Sequence, residues 1–216
     1  MNILEYIRIL RQRGWIIILA AVITAASALL FSKLQQPEYR SSIQVMIELA
    51  RPDFGLTQSI KQLLRSYATG MWSKQRAQQV INRLDLLYTP EDLIGDVKIV
   101  PDESIMVIQI DVDNYDGPTA DAIANAWAQL LVEWRNEQND KQDKENRVFA
   151  TIIDPATHHQ IRPKTLINVA AGGIFGLVLG AVVVFILEWL EAGIVHDPRS
   201  LERETGLTII GVIPPE

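Results

Sequence analysis

His158 and His159 are the first residues in this 216-residue chain whose chemistry invites a functional reading. Imidazole is the commonest metal ligand and titrates near neutral pH. Adjacent positions, however, do not place both rings on one helical face, and no third ligand stands nearby, so the pair reads as solvated loop residues or headgroup contacts at a membrane edge. Asp111, Asp113 and Asp116 are spaced like the start of a calcium loop. The loop's glycine and its closing glutamate are missing, which leaves these acids as strand-end and capping residues. No serine stands in a nucleophile elbow and no Gly-x4-Gly-Lys-Ser/Thr phosphate loop occurs. The chain has no cysteine, which excludes disulfides, thiol catalysis and cysteine-ligated metals. The sequence therefore assigns no catalytic, cofactor-binding or metal residue, and an enzyme reading has no constellation to stand on.

What the sequence does contain is two long gaps in its charge. A charge near a bilayer centre costs several kcal/mol, so membrane spans read as uncharged apolar runs. One run covers residues 14–32, between Arg13 and Lys33, and the other covers residues 165–187, between Lys164 and Glu188. Both are long enough to cross a hydrocarbon core of about 30 Å. A cleaved signal peptide is the rival reading of the first run, given Arg8, Arg11 and Arg13 ahead of it. The run is longer than an ordinary signal core, and residues 1–13 already read as an amphipathic helix with Ile3, Leu4, Ile7 and Leu10 on one face, so retention is expected.

Two spans put both termini on one side, with Trp15 and Trp189 at a common interface. Basic residues near the spans are almost evenly divided between the ends and the middle. The basic front ahead of the first span, and the ease with which long domains cross, favour cytoplasmic termini and an extracytoplasmic middle. The expected order is a cytoplasmic segment 1–13, a span 14–32, an extracytoplasmic domain 33–164, a span 165–187 and a cytoplasmic tail 188–216. Between residues 34 and 163 lie nineteen acids and thirteen bases, so this segment carries the whole formal charge of −6. An acidic domain of this kind is a poor partner for nucleic acid. Its 130 residues suffice for one core.

Within the domain, Tyr39, Ser41, Ile43, Val45, Ile47 and Leu49 alternate with more polar residues, as in a half-buried strand. Ile60, Leu63, Leu64, Tyr67 and Met71, then Ala77, Val80, Ile81 and Leu84, follow helical spacing with an interruption expected at Gly70. Thr89 and Pro90 open a short helix. Residues 97–100 and 105–112 read as a hairpin turning at Pro101 to Ser104, with Met106, Ile108, Ile110 and Val112 on one face. Asp116, Gly117 and Pro118 start a helix with a stripe of Ala120, Ile123, Ala124, Trp127, Leu130, Leu131 and Trp134, followed by a polar run 136–147 and a strand 148–153. The order of strand, helices, strand, strand, helix and strand matches a ferredoxin-like α+β layer flanked by two transmembrane helices.

Taken together, the short front, the first span, Pro37 and Tyr39 leading into a strand, the Ala122-Ile123-Ala124-Asn125-Ala126 helix, Pro155, Pro163-Lys164, Asn168 and a glycine-rich second span resemble the polysaccharide co-polymerases. These are the Wzz-type chain-length determinants. The short segment between Trp134 and Arg147 is similar to that of the capsule-type members. His158, His159 and Gln160 stand where the family's middle proline is expected, so the juxtamembrane motif is carried by Pro155, Pro163, Lys164 and Asn168 alone. The resemblance implies a non-enzymatic scaffold in the cytoplasmic (inner) membrane. Such a scaffold governs the chain length or export of an extracellular or capsular polysaccharide, working as a ring-like homo-oligomer beside the polymerase and export machinery.

In the tail, Asp197-Pro198 starts a short helix, Gly206 stops it, and Leu207, Ile209, Ile210, Gly211, Val212, Ile213 and Pro214 read as an apolar strand. Similar tails in capsule-type members contact and activate a tyrosine autokinase. The plainer alternative is that this one closes a juxtamembrane helix. In the second span Gly172, Gly176 and Gly180 recur every four residues, and Ala21, Thr24, Ala25 and Ala28 are the small residues of the first. Such a ridge lets another helix approach closely, either within a subunit or between subunits. The competing functional class is a two-span sensor with an outer ligand-binding domain. Residues 188–216 are short for the helical output that a sensor needs.

Overall fold

The computed structural model describes residues 3–50 and 54–191, which divide into two compact units, the end helices and Gln35–Pro163. Each end helix is continuous. Helix α1 runs Ile3–Leu34 without a break between the basic front and the apolar run, and α6 runs Thr165–Glu191. The windows long and apolar enough to cross a membrane are Arg11–Leu34 and Thr165–Leu190.

The middle unit is α+β: an antiparallel sheet with its helices on one face. Strand β1 (Glu38–Leu49) is central, because its inward Ser41, Ile43, Val45 and Ile47 are all buried while the residues between them face outward. Helices α2 (Phe54–Met71), α3 (Lys74–Leu84) and α4 (Pro90–Asp96) follow, then the hairpin β2 (Val97–Asp102) and β3 (Val107–Asn114). Helix α5 (Gly117–Asn139) leads through a 3-10 turn at Lys144–Asn146 to β4 (Val148–Ile152) and β5 (Thr157–Arg162). The sheet order is β2-β3-β1-β4. On its other edge β1 pairs first with β5, over Glu38 to Ser42, and then with β4, over Val45 to Leu49.

Capping residues set the helix ends. The Ser73 hydroxyl accepts the Arg76 N–H and opens α3, and left-handed Asp85 (φ 52°) closes it. Thr89 caps α4, and the Asp116 carboxylate accepts the Thr119 N–H at 3.0 Å to cap α5. Hydrogen bonds from the Thr119 hydroxyl and then its backbone N–H hold the Asp116 carboxyl below the usual aspartate range.

Several expectations need correction. Helix α2 continues through Gly70, and the break falls at Trp72–Ser73. One glycine costs a helix about 1 kcal/mol, which is offset here by burial of Tyr67, Ala68 and Met71 on the core side. The β2–β3 turn sits later than expected, with Pro101 and Asp102 inside β2 and Met106 in the turn at φ 55°. Asp111 and Asp113 are cross-strand partners rather than strand-end residues. The register sets Asp113 opposite Arg40 and Asp111 opposite Ser42, and Arg40 makes a two-pronged ion pair to Asp113 at 2.6 and 2.7 Å. A fifth strand, β5, replaces the expected loop.

Asp96, at the end of α4, runs against this pattern of paired acids. Partial burial and then the negative charges of Asp113, Asp92 and Glu38 hold its pKa above the usual aspartate value. A raised carboxyl pKa favours the fold below the unfolded value of about 4, and that contribution is lost as pH rises through the folded value. Asp96→Asn is therefore expected to raise the denaturant midpoint modestly at pH 7 and to match the parent at pH 3. A lower midpoint at pH 7 would show that the carboxylate has a favourable partner.

Candidate functional site

The end helices pack along their small residues. A Cβ added at Gly172 would lie 2.8 Å from the Ala28 Cβ and 3.0 Å from the Thr24 carbonyl oxygen. One at Gly176 would run into the Thr24 hydroxyl and lie 2.6 Å from the Ala21 Cα, and one at Gly180 would come within 2.7 Å of the Ile17 Cα. Three successive turns of α6 thus touch the backbone of α1 in the same chain, an approach that only glycine permits. Thr24 turns its hydroxyl back to the Ala20 carbonyl at 2.9 Å, so its polar group is satisfied within α1.

Polar contacts fasten both ends of the pair. At the end nearer the middle segment in sequence, Ser32 is 1% exposed and donates to the Thr165 hydroxyl at 3.0 Å, and Asn168 donates to Ser32 at 3.3 Å. At the other end Arg13 and Glu188, the charges that bound the two apolar runs, approach to 3.9 Å. The outward surfaces carry exposed Ile18, Phe31, Leu166 and Phe175, and Trp15 and Trp189 are exposed as well. Apolar side chains left in the open around a closely packed seam suit a lipid environment.

The juxtamembrane residues follow in order. Pro155 lies after β4, and the next residue, Ala156, donates its N–H to the Asn125 side chain at 3.2 Å. Pro163 is preceded by a cis peptide bond at the end of β5, and the Lys164 carbonyl accepts the Asn168 N–H at 3.0 Å as α6 begins.

The two histidines occupy β5, where alternation sends neighbouring side chains to opposite faces. His158 Nδ1 lies 2.6 Å from one Asp121 carboxylate oxygen, and the other oxygen accepts the buried Ser41 hydroxyl at 2.7 Å. Tyr39 meets the imidazole edge to face at 5.6 Å, and the ring packs so closely on Gly117 that a Cβ there would collide with it. Asp121 thereby ties β1, β5 and α5 together. The solvated-loop expectation for His158 fails because β5 borrows the free edge of β1 and Asp121 holds the imidazole. His159 stands opposite Arg40. Sequence reasoning also missed Asp121, Ser41 and Asn125 as polar fasteners. Asp121 does follow Asp116 by five residues on the same helix, but nothing in the sequence indicates what it faces. The tail residues Leu207, Ile209, Ile210, Gly211, Val212, Ile213 and Pro214 lie outside the described residues.

This arrangement has relatives. Residues 1–84 match the family model of the Wzz chain length determinant protein. The chain is 25% identical to the capsular polysaccharide biosynthesis protein CpsC of Streptococcus pneumoniae, over 99% of this chain and 94% of that protein. Identity is also 25% to the capsular polysaccharide type 8 biosynthesis protein of Staphylococcus aureus, over 92% and 89% of the two lengths. With the probable capsular polysaccharide biosynthesis protein YwqC of Bacillus subtilis it is 23%, over 92% and 81%. These alignments run through both end helices and the α+β unit between them, rather than through one shared piece. With the determinant model matched at its amino-terminal side and capsular proteins matched along its length, the chain is similar to the capsule-type proteins of the Wzz chain-length determinant family.

Proposed function

We propose that this protein is a non-enzymatic membrane scaffold of capsular or extracellular polysaccharide biosynthesis, governing polymer length or export. The observation that carries this reading is the helix pair: both ends of an α+β domain's chain continue into two apolar helices packed through Gly172, Gly176 and Gly180. Tethering a domain at both ends restricts its orientation at a membrane surface, which suits a platform on which other components assemble.

In this reading the termini are cytoplasmic and the domain is extracytoplasmic, with copies associating into a ring beside the polymerase and export machinery. The strand order β4-β1-β3-β2, antiparallel throughout and with helices after β1 and β3, supports a ferredoxin-like description of the domain. The tail 207–214 is assigned to contact and activation of a tyrosine autokinase. Deleting the gene should change the amount or the size distribution of the surface polysaccharide on a gel, and complementation should restore it. An unchanged polymer would overturn the proposal.

A further inference from the structure

On the middle unit, α2 and the edge strand β2 border an open groove of about 500 Å³, within the range of small-molecule sites. It is walled mainly by apolar surface from Trp72, Val100 and Pro101, with Arg65, Thr69 and Lys98 beside them. Trp72 stands at the break between α2 and α3 and is 51% exposed. It is nevertheless held in place, because its indole N–H donates to the Val97 carbonyl at 3.1 Å, with the Ile94 carbonyl at 3.4 Å. An indole fixed by its polar edge with half its surface open is a preorganised platform for a flat apolar face.

The strand edge disfavours a polypeptide there. Val97 already spends its outward carbonyl on Trp72, and Pro101 has no N–H, so along β2 only Ile99 directs both backbone groups to the open edge. Strand addition needs a longer ladder than that. The charges point elsewhere. Although the domain carries −6, Lys98 is exposed and, with Asp111 opposite it on β3, makes no ion pair among the described residues, and Arg65 is held at the groove by Glu103 at 2.6 Å. A sugar ring presents a face of C–H groups to an aromatic ring and its rim of hydroxyls to polar neighbours, and an acidic sugar adds a carboxylate for the lysine.

We propose that this groove binds a short stretch of an acidic polysaccharide, with one sugar ring on Trp72 and a carboxylate at Lys98. The proposal rests on the polysaccharide reading above and adds the class of polymer and the place where it is held.

The test uses the full chain in lipid nanodiscs. The probes are a hexasaccharide of alternating glucuronic acid and N-acetylglucosamine and, as an uncharged comparison, maltohexaose. The acidic probe should bind more tightly than maltohexaose, and Trp72→Ala and Lys98→Gln should each weaken it about tenfold, close to the upper end of one stacking or charged contact. Trp72→Phe, which keeps an aromatic face, should retain most of the binding. Lys98→Gln lies on an exposed position and should leave the unfolding midpoint unchanged, which separates lost binding from lost folding. Failure of the acidic probe to bind, equal binding of maltohexaose, or unchanged binding by Trp72→Ala and Lys98→Gln would each overturn the proposal. The two readings fail separately: an unchanged polymer on gene deletion defeats the scaffold function, whereas an altered polymer with no acidic-sugar binding defeats only the groove.

Discussion

Gly176→Leu is expected to force the two membrane helices apart. Even the first carbon of the new side chain would meet the Thr24 hydroxyl and lie 2.6 Å from the Ala21 Cα and 2.8 Å from the Ala20 carbonyl oxygen. Two of those atoms are backbone within a continuous helix, so they cannot turn aside as a flexible side chain would. Overpacking of a tight seam costs about 1–3 kcal/mol where neighbours can adjust, and here the adjustment must be separation of the helices. The chain's lack of cysteine permits a clean measurement. A Cβ at Gly173 would sit 4.0 Å from the Ala25 Cβ, within the span of a disulfide, so Ala25→Cys with Gly173→Cys should cross-link α1 to α6 readily. Adding Gly176→Leu should abolish most of that cross-link. A full yield in the triple variant would show that the seam opens and recloses without cost.

The apolar runs and the small-residue ridges were legible because each depends on composition alone: charge is excluded from a span, and small residues mark a close approach. Which helix fills the ridge was not legible. Gly172, Gly176 and Gly180 suit a partner from the same chain or from a neighbour equally well, and only the positions of Ala28, Thr24, Ala21 and Ile17 opposite them assign it to α1. Strand β1 was legible for a comparable reason, since it alternates buried and outward residues along most of its length. Strand β5 shows no such alternation, and all but one of its residues are exposed. It exists because β4 covers only half of one edge of β1, leaving backbone groups at Glu38 to Ser42 to be paired.

The polar fasteners were the least legible part. Asp113 with Arg40, and Asp121 with Ser41 and His158, join residues 73, 80 and 37 positions apart, so their meaning depends on register and helix placement rather than on spacing. Buried Arg135 is a further case. It carries its charge under the rings of Tyr67 and Trp134, 4.8 and 5.4 Å away, and shares the Val148 carbonyl with Asn139. In the sequence it is one more basic residue at the end of an amphipathic helix. The same dependence on placement explains Trp72, which the structure makes a fixed, half-open ring.

Trp127→Ala is expected to be the most damaging single change in the middle unit. Trp127 is fully buried on α5, among the side chains of both the sheet and the preceding helices, and its indole N–H donates to the Met71 carbonyl at 3.1 Å where α2 ends. That carbonyl belongs to the last turn of a helix and also accepts the Ser73 backbone N–H at 3.1 Å, so the indole is its second donor and ties α5 to the end of α2. Truncation to alanine removes about 3–5 kcal/mol of packing, and loss of the indole hydrogen bond adds about 0.5–1.5 kcal/mol, against a total of about 5–15 kcal/mol for an ordinary domain. The variant should lose near-ultraviolet circular dichroism in mild denaturant while the helical signal of α1 and α6 persists. Trp127→Phe separates the two contributions, since it keeps most of the ring volume and lacks the N–H. Its denaturant midpoint should fall between those of the parent and the alanine variant. If Trp127→Phe matched the parent, the bond to Met71 would carry no stability, and a loss under about 1 kcal/mol for Trp127→Ala would remove the indole from the centre of the core.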